Sequence, residues 1–332
     1  MKKYNVAVAG ATGMVGRKFL EVLAERDFPI ENLYLFASKR SAGKKMEYRG
    51  KSYIVEELTD EVFDRDIDIV LFSAGGATSE RFSPVARDKG VIVVDNSSAF
   101  RMSPEIPLVV PEVNPEDVEK HKGIIANPNC STIQSVLPLK ALSEKFGIKR
   151  VIYSTYQAVS GSGVDGIEDL KRGLQGKGPK NYPHPIANNC LPHIDVFLED
   201  GYTKEERKMI EETRKILGIP DMPITATCVR VPVENSHSIS INIELEKSFE
   251  MSEIFEALKG FDGIIVEDDT SNNIYPMPIH ATGRDEVFVG RIRRDFSREN
   301  SVNIWCVADN IRKGAATNTV QIAELLIKKG LI

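Results

Sequence analysis

The chain has 332 residues, 42% hydrophobic and 27% charged, which are the proportions of a folded protein of about two domains and exclude a single small module or a largely disordered chain. Its 43 basic and 48 acidic residues give a net charge of −5 with no block of like charge, so nucleic acid and acidic membranes are not expected partners. No stretch approaches the ~18–20 apolar residues of a membrane helix. The apolar start, Val6–Ala9, is interrupted at Gly10, Thr12, Gly13 and Gly16, so a mature strand is expected there rather than a signal peptide. Cys130, Cys190, Cys228 and Cys306 form no CxxC pair. The spacing predicts a reducing, cytoplasmic setting with neither a disulfide scaffold nor a metal site.

In chain order, Tyr4–Ala9, Leu33–Ala37, Ile67–Ala74 and Val91–Asp95 are apolar runs separated by crossover-length segments, which predicts a doubly wound parallel sheet. Met14, Val15, Phe19, Val22 and Leu23 recur at helical spacing, so residues 14–25 should form an amphipathic helix. The pattern changes after about residue 150. Ser238–Glu246 alternates strictly, and Glu286–Arg293 and Asn303–Val307 read as further short strands of a mixed or antiparallel sheet. Thr203-Lys204-Glu205-Glu206 is a capping box opening a helix to Leu217, with Gly218 as its stop. Ser252–Leu258 reads as a helix. Ala315–Lys329, apolar at 316, 320, 323 and 327, should be a C-terminal helix packed on the first domain.

Between the first strand and helix stands Gly10-Ala11-Thr12-Gly13-Met14-Val15-Gly16, a G-x-x-G-x-x-G turn. Glycines permit close approach of a pyrophosphate, and the helix N-terminus offers unpaired N–H groups, so a dinucleotide is the predicted ligand. NAD sites usually place a carboxylate at the end of the second strand. Here that end is Ala37-Ser38-Lys39-Arg40-Ser41, which favours NADP, with Arg40 and Ser41 on the 2′-phosphate.

Asn127-Pro128-Asn129-Cys130-Ser131-Thr132 precedes apolar Ile133, Val136, Leu137 and Leu139, which puts Cys130 near a helix N-terminus, where a thiolate is favoured. Cys228 and Cys306 lie in strand patterns, and Cys190 in a polar loop. His121, His193 and His280 have no patterned surroundings, and His184 sits between two prolines. His237 follows Arg230 by seven residues at a loop-to-strand junction, where side chains can converge on one pocket. Taken from the residues alone, Cys130 and His237 each remain open to a purely structural role.

Seven motifs in order resemble the aspartate-β-semialdehyde dehydrogenases over essentially the whole chain. They are GATGMVG at 10–16, SKRSAGK at 38–44, SSAFR at 97–101, NPNCST at 127–132, YQAVSG at 156–161, EERKM at 205–209 and RVPVENSH at 230–237. The helix after Tyr202-Thr203 resembles the Gram-positive and archaeal-type branch. Departures are small: Ser162 stands where Ala is common in the family, and Pro183–Ile186 differs from the commoner loop.

The resemblance implies a Rossmann NADP-binding domain over 1–129, completed by 310–332, and an α+β catalytic and dimerisation domain over 130–309. It implies NADPH-dependent reductive dephosphorylation of L-4-aspartyl phosphate to L-aspartate 4-semialdehyde, serving lysine, threonine, methionine and diaminopimelate biosynthesis. Cys130 would be the nucleophile that carries a thioester, His237 the general acid/base, and Gln157 the orienting amide. Arg230 would hold the substrate carboxylate, Glu205 its ammonium, and Arg101 with Lys208 the phosphate. Thr12, Gly13, Met14, Val15, Arg40, Ser41, Ser160, Gly161 and Asn318 would contact NADP, beside the turn glycines Gly10 and Gly16. The expected assembly is a homodimer, with a dimer of dimers as a larger form. Two other readings stand beside this one. N-acetyl-γ-glutamyl-phosphate reductase runs the same chemistry, but its blocked amine gives Glu205 no charge to meet. A non-catalytic NADP-sensing protein would need no reactive thiol.

Overall fold

The computed structural model describes residues 2–332, which divide into two compact units, one ending at Pro128 and resuming at Ala315–Ile332, the other spanning Asn129–Gly314. The first unit is built on β1 (Tyr4–Ala9), β2 (Ile30–Ala37), β3 (Lys45–Tyr48), β4 (Lys51–Glu57), β5 (Ile69–Phe72), β6 (Ile92–Asp95) and β7 (Ile124–Ala126), in the order β3-β4-β2-β1-β5-β6-β7. The central strands pair in parallel, and β1 and β5 are buried along almost their whole length because helices cover both faces. One of these helices, α1 (Met14–Glu25), sinks Phe19, Leu20, Val22 and Leu23, and α2 (Gly76–Asp88) sinks Phe82 and Ala86.

The sheet is not wholly parallel. Antiparallel β3 and β4 form a hairpin at its edge, turning through Arg49 and Gly50 at positive φ. Ile54 is 61% exposed on this edge, so the hydrophobic alternation that marks a buried strand is blurred there.

The second unit is a six-stranded mixed sheet of β8 (Ile148–Gln157), β9 (Ile224–Arg230), β10 (His237–Leu245), β11 (Ile264–Val266), β12 (Val287–Arg294) and β13 (Ser301–Ala308), ordered β11-β12-β13-β10-β8-β9. Pairs β8–β9 and β11–β12 are parallel and the others antiparallel. Its helices are α3 (Cys130–Phe146), α4 (Gly163–Leu174), α5 (Lys204–Leu217), α6 (Met251–Lys259) and the single turn α7 (Pro278–Ala281). The inward positions Ile239, Ile241 and Ile243 of β10 are fully buried, and α3 packs on β10, β8, β13 and α5.

The chain then returns to the first unit. A π-helical turn, Arg312–Thr317, leads into α8 (Asn318–Lys328), later than the helix start at Ala315 read from the sequence. The buried stripe is Ala316, Val320, Ala323 and Leu326, with Ile327 only half-buried. This stripe joins the core made by Val6, Val8, Leu20 and Leu23, and Arg26 pairs both arms with Glu324.

Candidate active site

Cys130 is the first residue of α3. The preceding Asn129 is extended (φ −61°, ψ 143°), and its Oδ1 accepts from the N–H groups of Ser131 and Thr132, capping the helix. Its other polar atoms face α5. The backbone N–H donates to Glu212 Oε2 at 2.6 Å, and Nδ2 donates to Glu205 Oε1 at 2.9 Å. Glu205 and Glu212 are seven residues apart and so share a helix face. Both are buried, at 5% and 1% exposure.

Glu205 is the hub of a wider network. Its Oε1 also accepts from Gln157 Nε2 at 3.3 Å, and Oε2 lies 3.3 Å from Lys208 Nζ, which reaches Asp195 at 2.7 Å. The residues matched to nucleophile, orienting amide, ammonium site and one phosphate ligand are thereby joined through Asn129. Arg101, the other phosphate candidate, belongs to the first unit, where Nε donates to the carbonyl of Asn127 and Nη2 to that of Asn96.

A second cluster forms where three strands end. Parallel pairing sets Gln157 beside Arg230, and antiparallel pairing starts β10 next to the end of β8. Ala158 joins two of the side chains: its carbonyl accepts from Arg230 Nη1 at 2.8 Å, and its N–H donates to His237 Nδ1 at 3.0 Å. His237 is fully buried. Burial first, and then the Arg230 guanidinium, hold its pKa well below the ordinary imidazole value. Its Nε2 has no hydrogen-bond partner among the described residues. A Cβ placed on Gly161 would stand 2.7 Å from Arg230 Nη1 and 3.3 Å from His237 Nε2, so the glycine keeps the space before both groups open.

The remaining thiols differ from Cys130 as the sequence suggests. Cys228 and Cys306 are buried in strands, where burial raises both thiols, Cys306 to about 12. Cys190 is exposed.

In the first unit the glycine turn fits a dinucleotide. Gly10 has φ +84°, and a Cβ on it would lie 2.2 Å from the carbonyl oxygen of Ser73. Gly13 stands at the N-cap of α1, and Thr12 Oγ1 lies 3.3 Å from the buried Ser41 Oγ. Beside the turn is a cleft of about 390 Å³, lined by Gly10, Thr12 and Gly13 and by the ends of β2, β4 and β5. Lys39 and Arg81 bring positive charge to it and Glu57 brings negative, whereas the exposed Arg40 is outside its lining. The other cofactor candidates have different surroundings. Asn318 Nδ2 donates to the carbonyl of Val109 and to Asn127 Oδ1, while Ser160 Oγ in the second unit bonds the amide of Asn310.

Residues 5–121 match the family described as semialdehyde dehydrogenase, NAD binding domain, and residues 139–313 the semialdehyde dehydrogenase, dimerisation domain. An aspartate-semialdehyde dehydrogenase of Aquifex aeolicus is 59% identical, with 99% of each chain covered. The chain belongs to the aspartate-semialdehyde dehydrogenase family. The crystal structure of aspartate semialdehyde dehydrogenase II from Vibrio cholerae complexed with ASA has TM-score 0.95 and 44% identity, covering 99% of both chains. That of the Candida albicans enzyme with NADP has TM-score 0.80 and 29% identity, covering 99% of this chain and 100% of its own.

Three participants in this hydrogen-bond network were missed from sequence: Glu212, Asp195 and the full role of Asn129. Asn129 carried a usable signal, since Asn before an apolar helical run is a preferred N-cap. Glu212 lies seven residues beyond Glu205 on a helix already predicted, but nothing in the sequence says which face meets Asn129. Asp195 lies in an irregular loop, and only the folded chain brings it to Lys208.

Proposed function

We propose that this member of the family reduces L-4-aspartyl phosphate to L-aspartate 4-semialdehyde with NADPH and releases phosphate, through a thioester on Cys130. The observation that carries this reading is the capped first turn of α3, in which the residue preceding Cys130 is hydrogen-bonded to Glu205, itself bonded to Gln157 and Lys208. A thiol at the first helical position faces the positive end of the helix dipole, which favours the thiolate. Arg230 offers a carboxylate two parallel donors, and Glu205 offers an ammonium a buried anion. Arg101 and Lys208 would take the phosphate. His237 would act at the reacting carbonyl, with Gln157 orienting it.

NADPH, when bound, supplies the hydride. Gly10, Thr12, Gly13, Met14, Val15 and Gly16 would hold its pyrophosphate side, with Arg40, Ser41, Ser160, Gly161 and Asn318 as further contacts. The choice of NADP over NAD rests on the absent carboxylate after β2 and on Lys39 in the cleft beside that strand end. Residues 1–129 with 310–332 would form the cofactor domain and 130–309 the catalytic and dimerisation domain, in a cytoplasmic enzyme of lysine, threonine, methionine and diaminopimelate biosynthesis. The proposed homodimer would use the outer face of the six-stranded sheet, where Tyr156, 41% exposed, packs 5.4 Å from Trp305 beside Ser240 and Asn242. Sedimentation at micromolar concentration tests this, and a fully active monomer would remove it.

The deciding assay is phosphate-dependent reduction of NADP⁺ with aspartate semialdehyde beside N-acetylglutamate semialdehyde. Turnover of the free amino aldehyde alone is expected. Preference for the acetylated aldehyde would establish the reductase of blocked substrates instead, and no turnover of either would favour the sensing role.

A further inference from the structure

We infer that Asp309 is a positioning residue for Cys130: it sets the register of the chain leaving β13 so that Gly314, and no residue with a side chain, lies against the first residue of α3. The inference rests on the thioester reading above and names a residue outside the reacting groups on which that chemistry depends.

Asp309 follows the last residue of β13 and is 5% exposed. Four backbone N–H groups end on it. Oδ1 accepts from Ile311 at 2.9 Å and from Arg312 at 3.0 Å, Oδ2 accepts from Gly283 at 2.8 Å, and the main-chain carbonyl accepts from Gly314 at 3.0 Å. The last of these closes over five residues, the spacing of a π-turn, and leads into the π-helical Arg312–Thr317. Gly283 belongs to the loop between α7 and β12, so one carboxylate oxygen starts the turn while the other ties it to a separate segment. Neighbours hold the same stretch. Asn310 Oδ1 accepts the Ser236 N–H at 2.9 Å, and the Arg312 guanidinium pairs with Asp285 at 2.8 Å. The groups facing the Asp309 side chain are all donors, so the position calls for an acceptor on both oxygens, which a carboxylate supplies and an amide does not.

Register matters because of what the turn touches. A Cβ on Gly314 would come within 2.8 Å of Cβ, 3.2 Å of Cα and 3.4 Å of the carbonyl oxygen of Cys130. Gly314 is not among the glycines at positive φ, so close approach, and not backbone conformation, is what requires a glycine there. Lys313 and Ala315 on either side each carry a Cβ, and a slip of one position would press that atom onto the thiol-bearing residue. Asn129 already fixes the start of α3 by capping it. Asp309, acting through Gly314, confines the same residue by packing, and a misplacement of about 1 Å at a reacting group costs about a hundredfold in rate.

The test isolates the step on Cys130. With aspartate semialdehyde and NADP⁺ but no phosphate, the thiolate adds to the aldehyde carbon, hydride leaves that carbon for NADP⁺ and the thioester remains, so one NADPH forms per working site. Stopped-flow absorbance gives the rate of this burst, and its amplitude counts the sites. Asp309→Ala is expected to slow the burst about tenfold, with an amplitude near one per NADPH-binding site and KM for aspartate semialdehyde within about twofold of wild type. Asp309→Asn, which keeps an acceptor for Ile311 and Arg312, is expected to recover to within about threefold of the wild-type rate. A wild-type burst rate in the alanine variant would overturn the inference, as would an asparagine variant no faster than alanine, or a smaller amplitude at an unchanged rate, which marks a merely structural loss. If Asp309→Ala does not fold, Asp309→Ser takes its place, since its hydroxyl still accepts one N–H of the turn. A burst slowed about threefold or more is then expected, and an unchanged one would overturn the inference. The thioester reading fails by a different result, turnover by Cys130→Ala.

Discussion

A Cβ on Gly314 would lie 2.8 Å from Cβ and 3.2 Å from Cα of Cys130, so the π-helical turn packs its backbone directly on the proposed nucleophile. Any side chain there must displace the first turn of α3. Gly314→Ala is therefore expected to lower kcat by about tenfold to a hundredfold, the scale of a small misplacement at a reacting group. Steady-state kinetics alongside thermal unfolding provide the check. An unchanged kcat would show that Cys130 tolerates the shift.

Cys130→Ala should abolish turnover while leaving NADPH affinity, read by fluorescence titration, nearly intact, because the glycine turn belongs to the other unit. Cys130→Ser should be almost as inactive, since an alkoxide is far less accessible than a thiolate at neutral pH. More than a few per cent of residual kcat in the alanine variant would contradict covalent catalysis.

Cofactor selection can be divided between two adjacent residues. Lys39 lines the cleft beside the glycine turn, whereas Arg40 is exposed outside that lining. Lys39→Ala is expected to raise KM for NADP by about tenfold with little change for NAD, the worth of one charge-assisted contact. Arg40→Ala should show the same preference to a degree that measures how far Arg40 swings in. Equal losses for both cofactors in both variants would leave the 2′-phosphate without a protein cation at this turn.

Substrate recognition is expected to turn on Glu205. Glu205→Gln should weaken kcat/KM for aspartate semialdehyde by about 1.5–3 kcal/mol, the usual value of a hydrogen bond to a charged group. An N-acetylated analogue, having no ammonium, should be barely affected. Arg230→Lys should also be costly, because one ammonium cannot reproduce two parallel guanidinium donors. Matching losses for both substrates in Glu205→Gln would remove the ammonium role.

His237 also makes stability depend on pH with a definite sign. Its folded pKa lies well below the ordinary 6.5, so below that value the unfolded chain binds a proton that the native imidazole does not. Its contribution is present above about pH 6.5 and is lost as pH falls toward the folded pKa. Urea unfolding of the wild type should therefore lose more stability between about pH 7 and about pH 5 than that of His237→Gln. Parallel pH dependences would show that His237 titrates normally.

Sequence by itself determined the elements whose physical cause is local. The period of α1, the capping box of α5, the alternation of β10 and the glycine turn after β1 are each fixed by neighbours a few residues apart, and the structure has all four. The half-exposed hairpin of β3 and β4 left a weaker pattern because an edge strand buries less of either face. What only the tertiary structure decided are relations between distant segments. Glu212 on the N–H of Asn129, Asp195 on Lys208 and Gly314 against Cys130 join residues separated by 83, 13 and more than a hundred positions, and none leaves a periodic trace. The hydrogen bond from the Ala158 N–H to His237 Nδ1 is the sharpest case. It spans 79 residues, where the end of β8 and the start of β10 lie side by side, and a backbone donor has no letter in the sequence.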